Sequence, residues 1–167
     1  TTAHPIRFTL DKALDYICNP DKTEYCELIS AINCRQQTAE KQFDYTRRTM
    51  NPNVKILAFH AVQSFVPGEV TPEQAHEIGL ETMKKWLNDE YEFVIATHVD
   101  KNHIHNHIII NSVNSKNGKS FSREHDRKLV PAWLEMKRVS DEITSQLEDY
   151  AIFTVKKGAV SREDCKK

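Results

Sequence analysis

Between His98 and Asn114 the chain reads HVDKNHIHNHIIINSVN, which places four of its eight histidines within ten residues and follows them directly with three isoleucines. No other stretch restricts the fold as strongly. Residues two apart on a β-strand share a face, so His105 and His107 project together, and Ile109 and Asn111 continue that face. Strands are expected over Tyr91 to Val99 and over His105 to Val113. The short polar link between them suits an antiparallel hairpin, which brings His98, near the end of the first strand, opposite the second. Three neutral imidazoles from adjacent strands can converge on one divalent cation and leave coordination positions open, as a catalytic rather than a closed structural site requires.

A single histidine at a strand end is more often exposed or simply hydrogen-bonded. The spacing HxDxxHxHxH across a hairpin reverses that preference. Two ligand sets remain open from the residues alone: His98, His105 and His107, or His98, His103 and His105. Asp100 is placed to orient an imidazole or to lie close to the ion. The string His105-Asn106-His107 spells HNH, but nucleases of that name carry those residues dispersed through a strand-and-helix motif. The HExxH zinc hydrolases need their histidines one helical turn apart, and these stand at strand spacing.

The remaining segments mix helices and strands without the regularity of a parallel βαβ sheet. In TLDKALDYI, Leu10, Ala13, Leu14 and Ile17 recur at helical spacing after Thr9, a candidate cap, and Asn19-Pro20-Asp21 ends the helix. A short strand is expected over Glu27 to Asn33, a polar-faced helix over Thr38 to Thr49, and a strand over Val54 to Phe65. In that strand His60 and Ser64 share a face. After the Pro67-Gly68 turn, Thr71, Pro72 and Gln74 form the N-terminus of a capped helix. Asn117-Gly118 is a turn signal, Val130 to Tyr150 a long helix, and Ile152 to Val155 an edge strand. These elements predict an α+β fold, a central antiparallel β-sheet backed by helices.

With 167 residues the chain suits a single domain, residues 1–167, expected to be the N-terminal part of a longer protein. No apolar run reaches the length of a membrane span, the first residues lack the pattern of a signal peptide, and four scattered cysteines read as reduced thiols. A cytoplasmic protein is expected. The net charge of −1 is unevenly distributed. Acids dominate from Glu73 to Glu92, while Lys119, Arg123, Arg127 and Lys128 lie in a basic stretch suited to gripping phosphates without reading sequence.

The chain resembles the relaxases, or mobilisation nucleases, of conjugative plasmids and integrative elements, in their P clade and within the superfamily of histidine-hydrophobe-histidine endonucleases. The resemblance is carried by HPIRFTLDKALDYICNPDKT, HAVQSFVPGEVTPEQA, HVDKNHIHNHIIINSVN and KLVPAWLEMKRVSDEI, in the family's order over nearly the whole chain. It implies a palm-like relaxase fold and site-specific nicking of single-stranded DNA at an origin of transfer. A tyrosine hydroxyl would attack the scissile phosphate to leave a 5′-phosphotyrosine and a free 3′-hydroxyl.

The family's first motif maps the nucleophile onto Tyr16, and its third maps the metal ligands onto His98, His105 and His107. Asp100 would assist the chemistry and Ser64 would contact DNA. The resemblance implies magnesium or manganese as the ion, single-stranded origin DNA and accessory transfer proteins as partners, and a bacterial cytoplasmic location. Asn106 departs from the family pattern, which usually places a hydrophobe between the paired histidines; His103-Ile104-His105 fits that short pattern better. The residues add one independent point. Tyr16 falls more than a quarter-turn off the apolar stripe of its helix, free to face a cleft, whereas Tyr45 and Tyr25 are weaker rivals. A replication initiator or transposase with its tyrosine after the histidines, for which Tyr150 is the candidate, and a non-enzymatic metal-dependent DNA-binding module are the alternative functions.

Overall fold

The computed structural model describes residues 3–121. The helix expected over Val130 to Tyr150, the edge strand over Ile152 to Val155, and Arg123, Arg127 and Lys128 lie outside them. Five strands form one fully antiparallel sheet: β1 (His4–Ile6), β2 (Ile29–Ile32), β3 (Ala58–Ser64), β4 (Phe93–His98) and β5 (His105–Asn111), in the order β1-β3-β5-β4-β2. Three helices accompany it: α1 (Leu10–Ile17), α2 (Ala39–Met50), which follows a 3-10 turn, and α3 (Pro72–Leu87). The expected α+β architecture is the one observed.

Strand alternation divides the core in two. Phe59, Ala61, Phe93, Ile95, Ile108 and Ile110 face α3, where they meet Met83 and Leu87. Ala58, Val94, Ala96 and Ile109 face the other way and pack on Leu10, Leu14 and Ile17 of α1 and on Ala39 and Phe43 of α2. Removing these side chains from water drives the assembly of the three layers. The hairpin β4–β5 lies at the centre of the sheet, with His98 directly opposite His105 and Ala96 opposite His107.

Helix α3 begins as its residues dictate. Thr71 accepts from the Gln74 amide, the Gln74 side chain answers the Thr71 amide, and Pro72 occupies the first turn. Helix α1 begins differently from expectation. Thr9 is left-handed at φ 57°, makes no side-chain cap, and turns its hydroxyl to the Phe8 carbonyl. Strand β3 is shorter than the span Val54 to Phe65, because the Asn51-Pro52-Asn53 turn delays it and pairing with β1 starts at Ala58. Strand β1 itself, three residues long, has no periodicity from which to be foreseen.

The face beneath α3 holds a buried polar chain. Asn106 donates to the Gln63 side chain and the Ala75 carbonyl and accepts from Thr97, whose hydroxyl also meets His76, which in turn bonds Ser30. Gly79 lets the helix approach this chain, since a Cβ there would lie 2.2 Å from Asn106 Nδ2 and 2.7 Å from Ile95 Cδ1. Gly79→Ala should therefore destabilise the fold by roughly 1–3 kcal/mol through overpacking, read as a lower urea midpoint at unchanged slope.

Glu92 supplies a pH-dependent term. Burial raises its carboxyl above the ordinary range, against the lowering effect of hydrogen bonds from Asn111 and Thr46. The folded state thus binds this proton more tightly than the unfolded chain. The contribution is complete below the ordinary glutamate value of about 4.3 and is lost as pH rises through the raised one. Glu92→Gln should remove that loss, so the stability of the variant relative to the parent should grow as pH rises across this window in denaturant titrations.

Candidate active site

The histidines gather where β4 ends and β5 begins. His98, His105 and His107 each offer a ring nitrogen, and these nitrogens lie within 4.8 Å of one another. The ring centroids are 4.4 Å apart for His98 and His107, 5.3 Å for His98 and His105, and 4.9 Å for His105 and His107. All three side chains are buried and project from the sheet face that carries α1. His103 is exposed in the loop before β5 and is not part of this group.

Hydrogen bonds determine which nitrogen each ring presents. His98 uses Nε2 to donate to the carbonyl of Ile17, at 2.9 Å, and its buried Nδ1 has no partner. His105 donates from Nδ1 to the His103 carbonyl, at 3.2 Å, which leaves Nε2. The Nδ1 of His107 meets Nε2 of His60 at 2.9 Å, and its buried Nε2 is unpartnered. Buried polar atoms without partners are rare, because each forfeits its hydration for nothing. Two of them converging among three imidazoles fit a divalent cation.

Burial also keeps the rings neutral, which ligation requires. It pushes His107 down to about 3, reinforced by the neighbouring His98, His60 and His105. Burial likewise lowers His98 and His105.

Tyr16 stands over this group. It lies in the last turn of α1, beside the fully buried Ile17, and its own side chain is 47% exposed. Its ring meets those of His98 and His107 edge-on, at centroid distances of 5.7 and 5.6 Å. Tyr45 and Tyr25 are exposed and have no ring contact with these histidines among the described residues. The structure thus brings Tyr16, and neither rival, to the cluster.

Asp100 makes no hydrogen bond to an imidazole; those positions are filled by Ile17, His103 and His60. It pairs instead with Lys22, at 3.6 Å. Desolvation, the largest single influence, pushes its carboxyl up, but Lys22, His98, a backbone hydrogen bond and His105 together hold it below its ordinary value. Lys22 Nζ lies 4.4 Å from the centroid of the Tyr16 ring, within cation–π range, and the Lys22 carbonyl accepts from the Val99 amide. Lys22 was not singled out from the sequence, although it follows Asn19-Pro20 in the segment that holds Tyr16.

Ser64 is exposed and pairs with His105 across β3 and β5, at the edge of the cluster. Lys119 lies beyond the other end of β5, whose seven residues span about 20 Å, and so is not brought to the histidines.

Residues 16–148 match the family of relaxases described as MobA/VirD2-like, nuclease domain. The group II intron-interrupted relaxase LtrB of Lactococcus lactis subsp. cremoris (strain MG1363) is 38% identical over 150 residues, covering 73% of this chain and 26% of its own length. Two proteins named rlx from Staphylococcus aureus are 42% identical over 102 residues and 36% identical over 114. Those matches cover 60% and 68% of this chain and 32% and 33% of theirs. The chain spans about a quarter to a third of the length of these relatives.

Proposed function

The chain belongs to the MobA/VirD2-like relaxase nuclease-domain family, and we propose that it nicks single-stranded DNA at an origin of transfer through a covalent Tyr16 intermediate. The observation that carries this reading is Tyr16 standing edge-on to two histidines, each of which has one buried ring nitrogen without a partner. The Tyr16 oxygen attacks the scissile phosphorus, the new phosphotyrosyl bond replaces the bond to the 3′-oxygen, and the departing oxygen takes up a proton as the phenol gives one up. One phosphodiester replaces another, so the step is reversible and the same residue can rejoin ends.

His98, through Nδ1, and His105 and His107, through Nε2, would hold the divalent ion. When bound, the ion supplies positive charge to a phosphate in transfer. The family resemblance implies magnesium or manganese, and the all-imidazole donor set would equally take zinc, cobalt or nickel. Lys22 restrains the Tyr16 ring and keeps a positive charge beside the point of attack, and Asp100 acts by holding Lys22 there. Ser64, at the rim, contacts the DNA strand, and Lys119, Arg123, Arg127 and Lys128 bind its phosphates. The proposed partners remain single-stranded origin DNA and accessory transfer proteins in a bacterial cytoplasm. No helix among the described residues is long and apolar enough to cross a membrane.

A labelled single-stranded oligonucleotide from the transfer origin should form a covalent adduct with the protein that chelator prevents. Tyr16→Phe should abolish the adduct and leave DNA binding largely intact. Persistence of the adduct in that variant would sink the assignment, and peptide mapping would then show whether Tyr45, Tyr25 or Tyr150 carries the DNA. Ion binding followed by calorimetry should survive His103→Ala and be lost on alanine substitution of His98, His105 or His107. The reverse pattern for His103 and His107 would restore the other ligand set.

A further inference from the structure

The proposed centre leaves His60, on the same sheet face, without a role. His60 lies on β3 and His107 on β5; the register pairs Val62 with His107 and His60 with Ile109, so His60 is a diagonal neighbour of His107. The two rings stand 5.0 Å apart and are joined at 2.9 Å between His60 Nε2 and His107 Nδ1. That contact admits two proton arrangements, and only one is compatible with the surroundings. If His60 donated, the proton of neutral His107 would sit on Nε2, which is buried with no acceptor. A buried donor would be stranded and no lone pair would face the cluster. If His107 donates from Nδ1, its Nε2 presents a lone pair beside those of His98 and His105, and His60 accepts with a bare Nε2.

We propose that His60 is a positioning residue that accepts the Nδ1 proton of His107 and so locks that imidazole in the tautomer able to bind the ion. The inference rests on the metal-centre reading above. His98 and His105 are oriented by backbone carbonyls, of Ile17 and His103, which can only accept. His107 is the one member of the trio whose partner is a side chain that could either donate or accept. Its tautomer therefore depends on the identity of residue 60. A ligand whose outer hydrogen-bond partner is removed typically costs a site about 10- to 100-fold in metal affinity.

The test pairs nitrogen-15 NMR of the imidazoles with calorimetric titration of Mn2+, on this chain without ion and then with it. In the parent protein without ion, His107 should be protonated at Nδ1. His60→Leu should shift His107 toward the Nε2–H form and weaken Mn2+ binding by about 10- to 100-fold, while His60→Gln, whose side-chain oxygen can accept, should recover most of the affinity. Finding His107 protonated at Nε2 in the parent overturns the proposal, whatever the variants do. Parent-like Mn2+ affinity in a folded His60→Leu also overturns it. Failure of the parent itself to bind Mn2+ would instead overturn the metal-centre reading on which it rests.

Discussion

One hydrogen bond, from Nε2 of His98 to the carbonyl of Ile17, ties the two halves of the site together. The last carbonyls of a helix have no partner within it and must find one elsewhere. Here a buried imidazole supplies the donor, and two things follow. The His98 ring is held with Nδ1 toward His105 and His107. The C-terminal turn of α1 is held against the end of β4, which carries Tyr16, one residue before Ile17, to a place over the same cluster. The loop that follows repeats the attachment on the backbone, with the Val99 amide bonding the Lys22 carbonyl. Tyr16 and the histidine cluster, far apart in sequence, are thereby positioned by the same few contacts.

The sheet then separates tasks by alternation. On β5, His105, His107 and Ile109 face α1, whereas Asn106, Ile108 and Ile110 face α3. Asn106 sits between the two paired histidines but serves the opposite face. There its amide is fully bonded among Gln63, Ala75 and Thr97, and Gly79 gives it room. A polar residue between the paired histidines is thus no sign of a displaced ligand set. It is a satisfied element of the helix–sheet contact. The acidic helix α3 lies across the sheet from the histidines, with Glu73 and Glu77 exposed on that side, so its charge does not stand over the face where a phosphate would approach.

Features that depend on local periodicity were legible in the sequence. The hairpin, the shared face of His105 and His107, the apolar stripe of α1 with Tyr16 off it, and the capping box at Thr71 each follow from spacing within a few residues. Alternation could not say whether His103 belonged with His105, because that depends on where β5 begins. It begins at His105, and the exposed His103 offers its carbonyl and a ring contact to His105 from the preceding loop. Thr9 has the right residue type for a cap but a left-handed backbone, which no propensity reveals. The parts that remained hidden are long-range pairings: Lys22 with Asp100, and His60 with His107. Lys22 and His60 each read alone as an ordinary surface or core residue, and only the strand register and the loop after α1 bring them to Asp100 and His107.

The charge balance of the site follows from the same placements. A cation held by three neutral imidazoles keeps its full charge, whereas carboxylate ligands would offset it. Asp100, an exposed carboxylate near the cluster, is engaged by Lys22, so the pair adds little net charge of its own. With the proposed ion bound, the outcome would be a positive pocket beside a half-exposed phenol, suited to drawing in a diester that carries one negative charge. Holding an ion by carboxylates would give tighter binding at the expense of that attraction. The nicking reaction proposed above would bind, release and bind again a phosphodiester of nearly unchanged energy, and for that task neutral ligands would be the better physical choice.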